Sequence, residues 1–416
     1  MQAFYDQLET RDPAQRETAL LKSLPDQIGH AQRNSAAFAQ ILQGVDATAI
    51  TNRQALAALP VTRKHELLER QQAQRTQTPF GGFATIGFGA EMPRIFASPG
   101  PIYEPEGCSP DYWRMARAMF AAGFRAGELI HNCFSYHFVP AGSMMETGAH
   151  ALGCSVFPAG TGQTEQQVQA MAELRPAGYI GTPSFLKIIV EKADALGVAL
   201  PSVTKAMFGA EAFPPSLCDW FLARGIQGYQ SFGSADLGLI AYETQAREGL
   251  VIDESVLVEI VRPGTGDPVP DGEVGELVVT SLNPVYPLIR FGTGDLSAIL
   301  PGRCPTGRTN VRIKGWMGRA DQTTKIRGMF VHPGQVQAIA KRFPEVTKVR
   351  LVVRGEMAND SMTLQVETSC SGPDSLVEKI GAAIREVTKL RGDVELVLPG
   401  SLPNDGKVIE DARSYK

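Results

Sequence analysis

The sequence predicts an α/β fold with a large, multi-layer N-terminal domain built on parallel sheets and a small α+β C-terminal domain. Three observations carry this prediction. The chain has 416 residues, more than a single hydrophobic core normally supports. Strand-like and helix-like segments alternate from Asp111 to Gly233, which is typical of βαβ units. Beyond about residue 240, strand-like segments are joined by Gly/Pro turns without an intervening helix.

The individual elements follow in chain order. Residues 1–75 carry apolar positions at helical spacing and predict a helical lead-in. In the alternating region, GELIHNCF predicts a strand and SMMETGAHALG a helix, and Thr164 with Gln167 three residues later forms the pattern of a capping box. Residues 240–318 predict a barrel-like antiparallel section. The remaining segment predicts helix, strand, strand, helix and strand, which together make a small α+β domain.

Composition narrows the class of protein. The net charge is −4 and no Lys/Arg run is present, which argues against nucleic acid as a partner. No stretch reaches the roughly 18 apolar residues that a membrane span needs. The N-terminus is charged and amphipathic, unlike a signal peptide. Six scattered cysteines without a CxxC pair are typical of a reducing compartment, so a cytoplasmic protein is expected.

One glycine- and proline-rich stretch raises the question of nucleotide binding. Residues 94–105, RIFASPGPIYEP, form a loop of the kind whose backbone N–H groups cradle anions. The stretch lacks the lysine and the paired Ser/Thr of a phosphate-binding loop. By itself it therefore leaves nucleotide binding open.

Three further segments place a carboxylate after a predicted strand and a glycine turn: GAEAF at 209–213, YQSFGSAD at 229–236 and RFGTGD at 290–295. Ligands of parallel sheets bind at the carboxyl ends of the strands, where such a carboxylate can hold a metal ion or the hydroxyls of a ribose. Alternatively, each carboxylate belongs to a turn and caps the next helix or strand. For any one segment taken alone, this structural interpretation is favoured over ligand binding.

The order of the segments gives a more specific signal. GAEAF, SFGSAD, RFGTGD, GRADQTTKIRG and LPNDGK, in this order, resemble the adenylate-forming (AMP-binding) superfamily, and the phenylacetate–CoA ligase family most closely. LPVTRKHEL, IHNCFSYHFVPAG and GCSVFPAGTGQTEQQV extend the resemblance to nearly the whole chain. The resemblance implies an adenylate-forming domain over 1–318, a hinge at 319–321 that turns on Asp321, and a mobile domain over 322–416.

The resemblance also implies roles for individual residues. Glu211 would lie beside the nucleotide, and Phe232 would stack on adenine where the family usually has Tyr. Asp295 would bind the ribose hydroxyls, and Asp236 would take the place of the family's Mg²⁺-binding Glu. The full set of implied nucleotide contacts is Ser98, Gly100, Gly209, Glu211, Phe232, Gly233, Asp295, Arg319 and Arg327.

Two further groups of residues are implied by the same resemblance. Lys407 would enter the site for adenylation and leave it for the second half-reaction. An acyl pocket would be lined by Phe134, Tyr136, His137, Phe138 and Ala210. Phe134, Tyr136 and Phe138 occupy alternate positions of one segment, which on a strand would share one face and favour an aromatic acid.

The phosphate loop departs from the family pattern. In the family this loop has the form SSGTTGKP and grips the β- and γ-phosphates. Ser98, Gly100 and Pro105 match that form, whereas Pro101-Ile102-Tyr103 stands at the Thr-Thr-Gly. The chain thus has fewer hydroxyl donors for pyrophosphate than the family pattern provides.

The predicted function is that of an AMP-forming acid–CoA ligase for an aromatic carboxylic acid, with ATP and Mg²⁺ as cofactors and CoA as co-substrate. Two alternatives stay open: a relative that binds acyl-CoA or AMP without turnover, and an adenylating enzyme with a different acyl acceptor. A homodimer is also left open. His131, Cys133 and His137 fall within seven residues, but no fourth metal ligand is evident, so a pocket wall is favoured over a metal site.

Overall fold

The computed structural model of the chain describes residues 2–317, 319–320, 324–327, 329–331, 333–355, 360–369, 373–403 and 407–413. The chain divides into two compact units, Met1–Met317 and Gly318–Lys416. In the described part of the chain, none of the helices combines the length and apolar composition that a membrane span requires.

Nine α-helices are described in the first unit: α1 (Pro13–Asn34), α2 (Ala36–Ile41), α3 (Arg53–Ala57), α4 (Lys64–Gln74), α5 (Met115–Ala121), α6 (Ala141–Leu152), α7 (Thr164–Leu174), α8 (Pro183–Leu196) and α9 (Pro215–Leu222). Its described strands are β1 (Thr62–Arg63), β2 (Arg94–Ser98), β3 (Ile102–Glu106), β4 (Leu129–Asn132), β5 (Ser155–Pro158), β6 (Gly178–Gly181), β7 (Lys205–Phe208), β8 (Gln227–Ser234), β9 (Gly238–Glu243), β10 (Leu250–Ile252), β11 (Val256–Val261), β12 (Gly275–Ser281), β13 (Phe291–Ser297), β14 (Ile299–Leu300) and β15 (Arg312–Ile313).

A nine-stranded sheet dominates this unit, with strand order β14-β15-β10-β9-β8-β7-β6-β4-β5. Strands β4 to β8 run parallel to their neighbours, and β9 then pairs antiparallel with β8. The change of direction at β8 leaves the carboxyl ends of β4, β6, β7 and β8 on one edge. Such an edge is where open α/β sheets bind ligands.

A second sheet has the order β1-β13-β12-β11. The N-terminal helices cover it, because Leu24, Ile28 and Phe38 are fully buried in one core with Leu277 and Phe291. A separate core forms between α5, α6 and the large sheet, with Met119, Ile130 and Leu239 at its centre. The predicted helical lead-in therefore forms a layer packed against the antiparallel section.

The second unit is a small α+β domain, described as β16 (Thr324–Ile326), β17 (Met329–Val331), α10 (Pro333–Ala340), β18 (Val346–Arg354), β19 (Ser361–Thr368), α11 (Pro373–Thr388), β20 (Asp393–Val397) and β21 (Ile409–Asp411). Its main sheet has the order β20-β19-β18-β21 and packs against α10 and α11 around Val336, Val353 and Ile380. The predicted fold class is confirmed in both units.

Two local predictions are wrong. RFGTGD does not turn at the end of a strand: β13 continues from Phe291 to Ser297, so Asp295 lies within the strand. The capping box at Thr164 does not form, because α7 begins after Gln163 without a side-chain cap. The Gln167 amide instead donates to the carbonyls of Ala159, Gly160 and Gly162 in the preceding loop.

Candidate functional site

Three strand ends converge at the ligand-binding edge of the large sheet. Phe134 follows β4 and is buried, Gly209 follows β7, and Ser231 lies in β8. A methyl group added at Gly209 would lie 3.2 Å from Ser231 Oγ and 3.6 Å from Phe134 Cζ. The structure therefore brings together the predicted acyl-pocket residue Phe134, the predicted nucleotide-loop residue Gly209 and the strand that carries Phe232.

Glu211 is fixed at the start of α8. Ser184 Oγ donates to Glu211 Oε2 at 2.6 Å, and Ser184 is the second residue of that helix. Thr182 caps the helix by accepting a hydrogen bond from the Phe185 N–H. The positive end of the helix dipole favours a carboxylate at this place. The neighbouring Ala210 is exposed and has a left-handed backbone, with φ of 65°.

Tyr136 is held against α6. Its hydroxyl donates to Glu146 Oε2 at 2.8 Å and accepts from the Asn132 amide at 2.8 Å. Its ring passes so close to Gly142 that a methyl group there would lie 2.8 Å from the ring carbons. Burial and the Glu146 carboxylate raise the pKa of Tyr136, so the phenol stays neutral and keeps this orientation.

The alternation expected for Phe134, Tyr136 and Phe138 does not occur. Strand β4 ends at Asn132, so the segment that follows has no strand periodicity. Phe134 is buried, whereas Phe138 is 82% exposed and His137 is exposed as well. The Phe138 carbonyl accepts a hydrogen bond from Ala97 N–H at 2.7 Å, which ties this loop to β2.

The histidine and cysteine candidates do not form a metal site. His131 is buried, stacks on Phe157 and lies with Nε2 2.6 Å from Gln167 Oε1. Cys133 Sγ donates to the same Gln167 oxygen at 3.7 Å, while His137 is exposed. Among the described residues, no group of three His, Cys, Asp or Glu side chains could hold a metal ion. His131 and Cys133 are therefore core residues anchored by Gln167.

The stretch 94–105 forms a β-hairpin, with β2 and β3 paired from Arg94 and Glu106 to Ser98 and Ile102. Its inner side carries the buried residues Ser98 and Glu104. Ser98 N–H donates to Glu104 Oε2 at 3.1 Å, and Ser98 Oγ donates to Oε1 of the same carboxyl group. On the other side, the Tyr103 backbone is bound at both its N–H and its carbonyl by the Gln71 amide of α4.

Asp236 lies in the turn between β8 and β9, and its side chain is only 1% exposed. Lys64, the first residue of α4, places its ammonium 2.7 Å from Asp236 Oδ2. Within the described residues, Asp236 Oδ1 accepts no hydrogen bond. Burial and the Asp236 charge raise the pKa of Glu104 to about 8, while Lys64 opposes that rise. These three side chains therefore form one electrostatically interacting cluster.

Phe232 and Gly233 lie beside this cluster on β8. Phe232 pairs with Ala241 of β9 and packs against the core under the second sheet. The strand register shifts between Phe232 and Gly233. A side chain at Gly233 would collide with the Gly238 carbonyl, since its first carbon would lie 2.5 Å from that oxygen. Gly233 thus permits the tight turn that presents Asp236.

Asp295 is connected to the cluster through β1. Arg63, next to Lys64, pairs in register with Gly292 of β13, three residues before Asp295. Arg63 also forms an ion pair with Glu276, whose Oε1 accepts the Gly294 N–H at 3.3 Å. Trp316 Nε1 donates to Asp295 Oδ1 at 3.1 Å. The start of α4 therefore links the strand of Asp295 to the turn of Asp236.

Four predicted residues belong to the second unit, and their roles stay predictions. Lys407 is exposed, and its carbonyl accepts a hydrogen bond from Arg350 at 3.4 Å. Arg327 N–H donates to Asp360 Oδ2 at 3.1 Å. Arg319 is half-buried, while the predicted hinge residue Asp321 lies outside the described residues.

Comparison with known proteins identifies the family. A family profile described as "AMP-binding enzyme" matches residues 112–284. Phenylacetate–coenzyme A ligase of Thermus thermophilus is 34% identical over 344 residues, which cover 78% of this chain and 75% of that protein. The chain belongs to the phenylacetate–CoA ligase family. The phenylacetate–coenzyme A ligase of Aromatoleum evansii is 30% identical over 83% of this chain and 80% of its own length.

A solved structure supports the fold of the family member. A 2-hydroxyisobutyryl-CoA ligase, crystallised with 2-HIB-AMP and CoA in the thioesterification state, superposes with a TM-score of 0.84 at 24% identity. The match covers 100% of this chain and 93% of that one. The predictions of an adenylate-forming fold and of an acid–thiol ligase of the phenylacetate–CoA ligase type are confirmed.

Sequence reasoning missed two residues of the site. When Ser98, Gly100 and Pro105 are matched to the family's SSGTTGKP loop, Glu104 stands where that loop has its lysine. Lys64 lies in LPVTRKHEL. This segment supported the family resemblance, but it did not predict that Lys64 contacts the site. The glutamate at the lysine position was a visible signal, whereas the Lys64–Asp236 pair joins residues 172 positions apart.

Proposed function

We propose that this chain is an AMP-forming ligase that activates an aromatic carboxylic acid as an acyl-adenylate and transfers the acyl group to CoA. Membership of the phenylacetate–CoA ligase family supports the reaction class. The aromatic substrate is suggested by the names of these relatives and by the aromatic ring of the predicted pocket residue Phe134. In this proposal ATP and CoA are co-substrates, and Mg²⁺ accompanies the nucleotide.

The convergence of Phe134, Gly209 and Ser231 is the observation that carries the proposal. A methyl group at Gly209 would be crowded by the Ser231 hydroxyl and would touch the Phe134 ring, so these groups meet closely at the edge where α/β sheets bind ligands. We propose that a flat aryl acid binds at this edge with its ring against Phe134, since aromatic rings stack favourably. Its carboxylate would then point toward the nucleotide loop at residues 209–211.

The adenylation step needs an oriented nucleotide and a cation at the α-phosphate. The carboxylate oxygen of the acid attacks the α-phosphorus, and the bond from that phosphorus to pyrophosphate breaks. We propose that Asp295 fixes the ribose hydroxyls, that Phe232 stacks on the adenine, and that Lys407 contacts the α-phosphate. An ammonium group placed there stabilises the charge that develops in the transition state.

Asp236 is the residue that would hold Mg²⁺. Its buried Oδ1 accepts no hydrogen bond from the described residues, and an oxygen donor of this kind suits the ion, which keeps several waters and binds one or two carboxylates together with phosphate. When bound, Mg²⁺ neutralises charge on the phosphate oxygens. Lys64 on Oδ2 keeps the carboxylate oriented.

In the second half-reaction the CoA sulfur attacks the acyl carbon, the bond to the AMP phosphate oxygen breaks, and the thiol proton passes to solvent. This step needs no ammonium at the α-phosphate. We therefore propose that residues 322–416 form a mobile domain that pivots at 319–321 and carries Lys407 away, with Arg319 and Arg327 joining the nucleotide site. We also propose that the protein is located in the cytoplasm and forms a homodimer.

The test measures AMP release and acyl-CoA formation by mass spectrometry for phenylacetate, benzoate, 2-hydroxyisobutyrate and acetate. We expect kcat/KM for the best aryl acid to exceed that for acetate at least tenfold. A preference for aliphatic acids would refute the aromatic substrate while leaving a ligase. AMP release without consumption of CoA would indicate another acyl acceptor, and no AMP release with any acid would refute catalysis.

A further inference from the structure

In the hairpin at residues 94–105, side chains of the protein bind several of the donors that a phosphate loop offers to its ligand. A phosphate loop binds anions through backbone N–H groups and hydroxyls that point at the ligand. Here the Ser98 N–H and hydroxyl both bind the Glu104 carboxyl group. Tyr103 N–H binds Gln71 at 2.8 Å, and Pro99 and Pro101 have no N–H to offer.

The Glu104 carboxyl group therefore occupies the place of a phosphate oxygen. It is 1% exposed, and it sits on the Ser98 donors that a phosphate oxygen would otherwise take. The family loop has a lysine at this position, so the replacement removes one positive charge and adds an acidic group. The single nearby ammonium described, that of Lys64, is already paired with Asp236 at 2.7 Å.

We infer that Glu104 takes the place of a phosphate group in the hairpin. The neighbouring nucleotide site therefore binds nucleoside monophosphates and acyl-adenylates, and the β- and γ-phosphates of ATP contribute little to binding. The inference rests on the proposed function, because it assumes that the nucleotide lies beside Asp236 and Asp295. ATP remains a substrate of the ligase, held mainly through its adenosine and α-phosphate. Glu104 is thus a specificity-determining residue.

The experiment is titration calorimetry of the full chain with AMP and with ATP at one fixed Mg²⁺ concentration. We expect wild-type dissociation constants for the two nucleotides that agree within about threefold. Glu104→Lys should tighten ATP binding at least tenfold and leave AMP binding within twofold, since only ATP places phosphates at the hairpin. Glu104→Gln should tighten ATP binding by a smaller factor of about three. This variant tests the inference if the lysine variant does not fold.

Glu106→Gln is the matched control. Glu106 lies two residues along the same strand, is equally buried, and binds Arg94 and Ser143, farther from the hairpin turn. This change should leave the ratio of ATP to AMP affinity at its wild-type value.

The outcomes separate this inference from the proposed function. Wild-type binding of ATP at least tenfold tighter than AMP, or an unchanged affinity ratio in both Glu104 variants, would overturn the inference and leave the ligase intact. Binding of neither nucleotide would overturn the proposed function and the inference together. An equal gain for ATP in Glu106→Gln would show that hairpin stability, rather than the Glu104 carboxyl group, sets the preference.

Discussion

The Lys64 ammonium lies 2.7 Å from Asp236 Oδ2, and it joins the first residue of α4 to the turn between β8 and β9. The two partners differ in their surroundings, since the Lys64 side chain is 37% exposed and the Asp236 side chain 1%. The pair therefore neutralises a buried carboxylate from a position that stays open to solvent. It also fixes the helix of the N-terminal layer to the ligand-binding edge of the large sheet.

Lys64→Met should lower the free energy of unfolding of the first unit by about 2 kcal/mol, because it leaves the Asp236 charge buried without its partner. The value is below that for a fully buried pair, since Lys64 is partly exposed. The Lys64→Met/Asp236→Asn double variant should recover part of the loss. Urea unfolding of wild type and of these two variants measures both differences. Lys192→Met is the control, because its pair with Glu165 has the same 2.7 Å separation on an exposed surface. Equal losses at both lysines would contradict the prediction.

The sequence allowed the fold to be predicted because the relevant signals are local. Strand and helix periodicities in the alternating region predicted the parallel strands β4 to β8, and the antiparallel section was expected from its Gly/Pro turns. The extent of β13 was missed because Gly292 and Gly294 have the composition of a turn. Their place in the strand depends on the Arg63–Glu276 ion pair packed against them, which no local pattern reveals.

The site was predicted in part for the same reason. Gly209 and Asp236 follow predicted strands, so the topology places them at one edge. The Gln167 amide could not be assigned from spacing, because its partners lie both in the loop before its helix and on strand β4 at His131. Lys64 binds Asp236 from 172 positions away, and Glu104 interacts electrostatically with both, so only the folded chain shows the cluster.

Gly209→Ala should raise the KM for an aryl acid about tenfold, since one methyl group in a fitted pocket changes binding by about 1–3 kcal/mol. The added methyl would lie 3.2 Å from Ser231 Oγ and 3.6 Å from Phe134 Cζ, inside the proposed acyl pocket. Steady-state kinetics with the preferred acid measure the effect. Gly87→Ala is the control, because the described residues leave its added methyl without a neighbour within 4 Å. A KM unchanged by Gly209→Ala would place the acid elsewhere.

Lys407→Ala should reduce acyl-adenylate formation by about 10²–10³-fold, the loss typical when one charge-stabilising donor is removed from a transition state. Conversion of preformed acyl-adenylate to acyl-CoA should stay within about twofold of wild type, because the proposed domain movement takes this lysine out of the site. Separate assays of the two half-reactions measure the difference. Lys341→Ala, at another exposed lysine of the same unit, should affect neither. Equal losses in both half-reactions would contradict the proposed movement of Lys407.

His131 should make the first unit sensitive to acid. Burial lowers the pKa of His131, so the folded chain keeps the imidazole neutral below pH 6.5, where the unfolded chain takes up a proton. The unfolded state then binds more protons, and stability falls as the pH decreases. Between pH 7.5 and 5.5, wild type should lose about 1 kcal/mol more than His131→Gln, which has no proton to bind. Urea unfolding at both pH values measures this difference, with His65→Gln, at an exposed histidine, as the control. If wild type and His131→Gln lose the same stability, the His131 ring is protonated in the fold, and its hydrogen bond to Gln167 then uses an imidazolium donor.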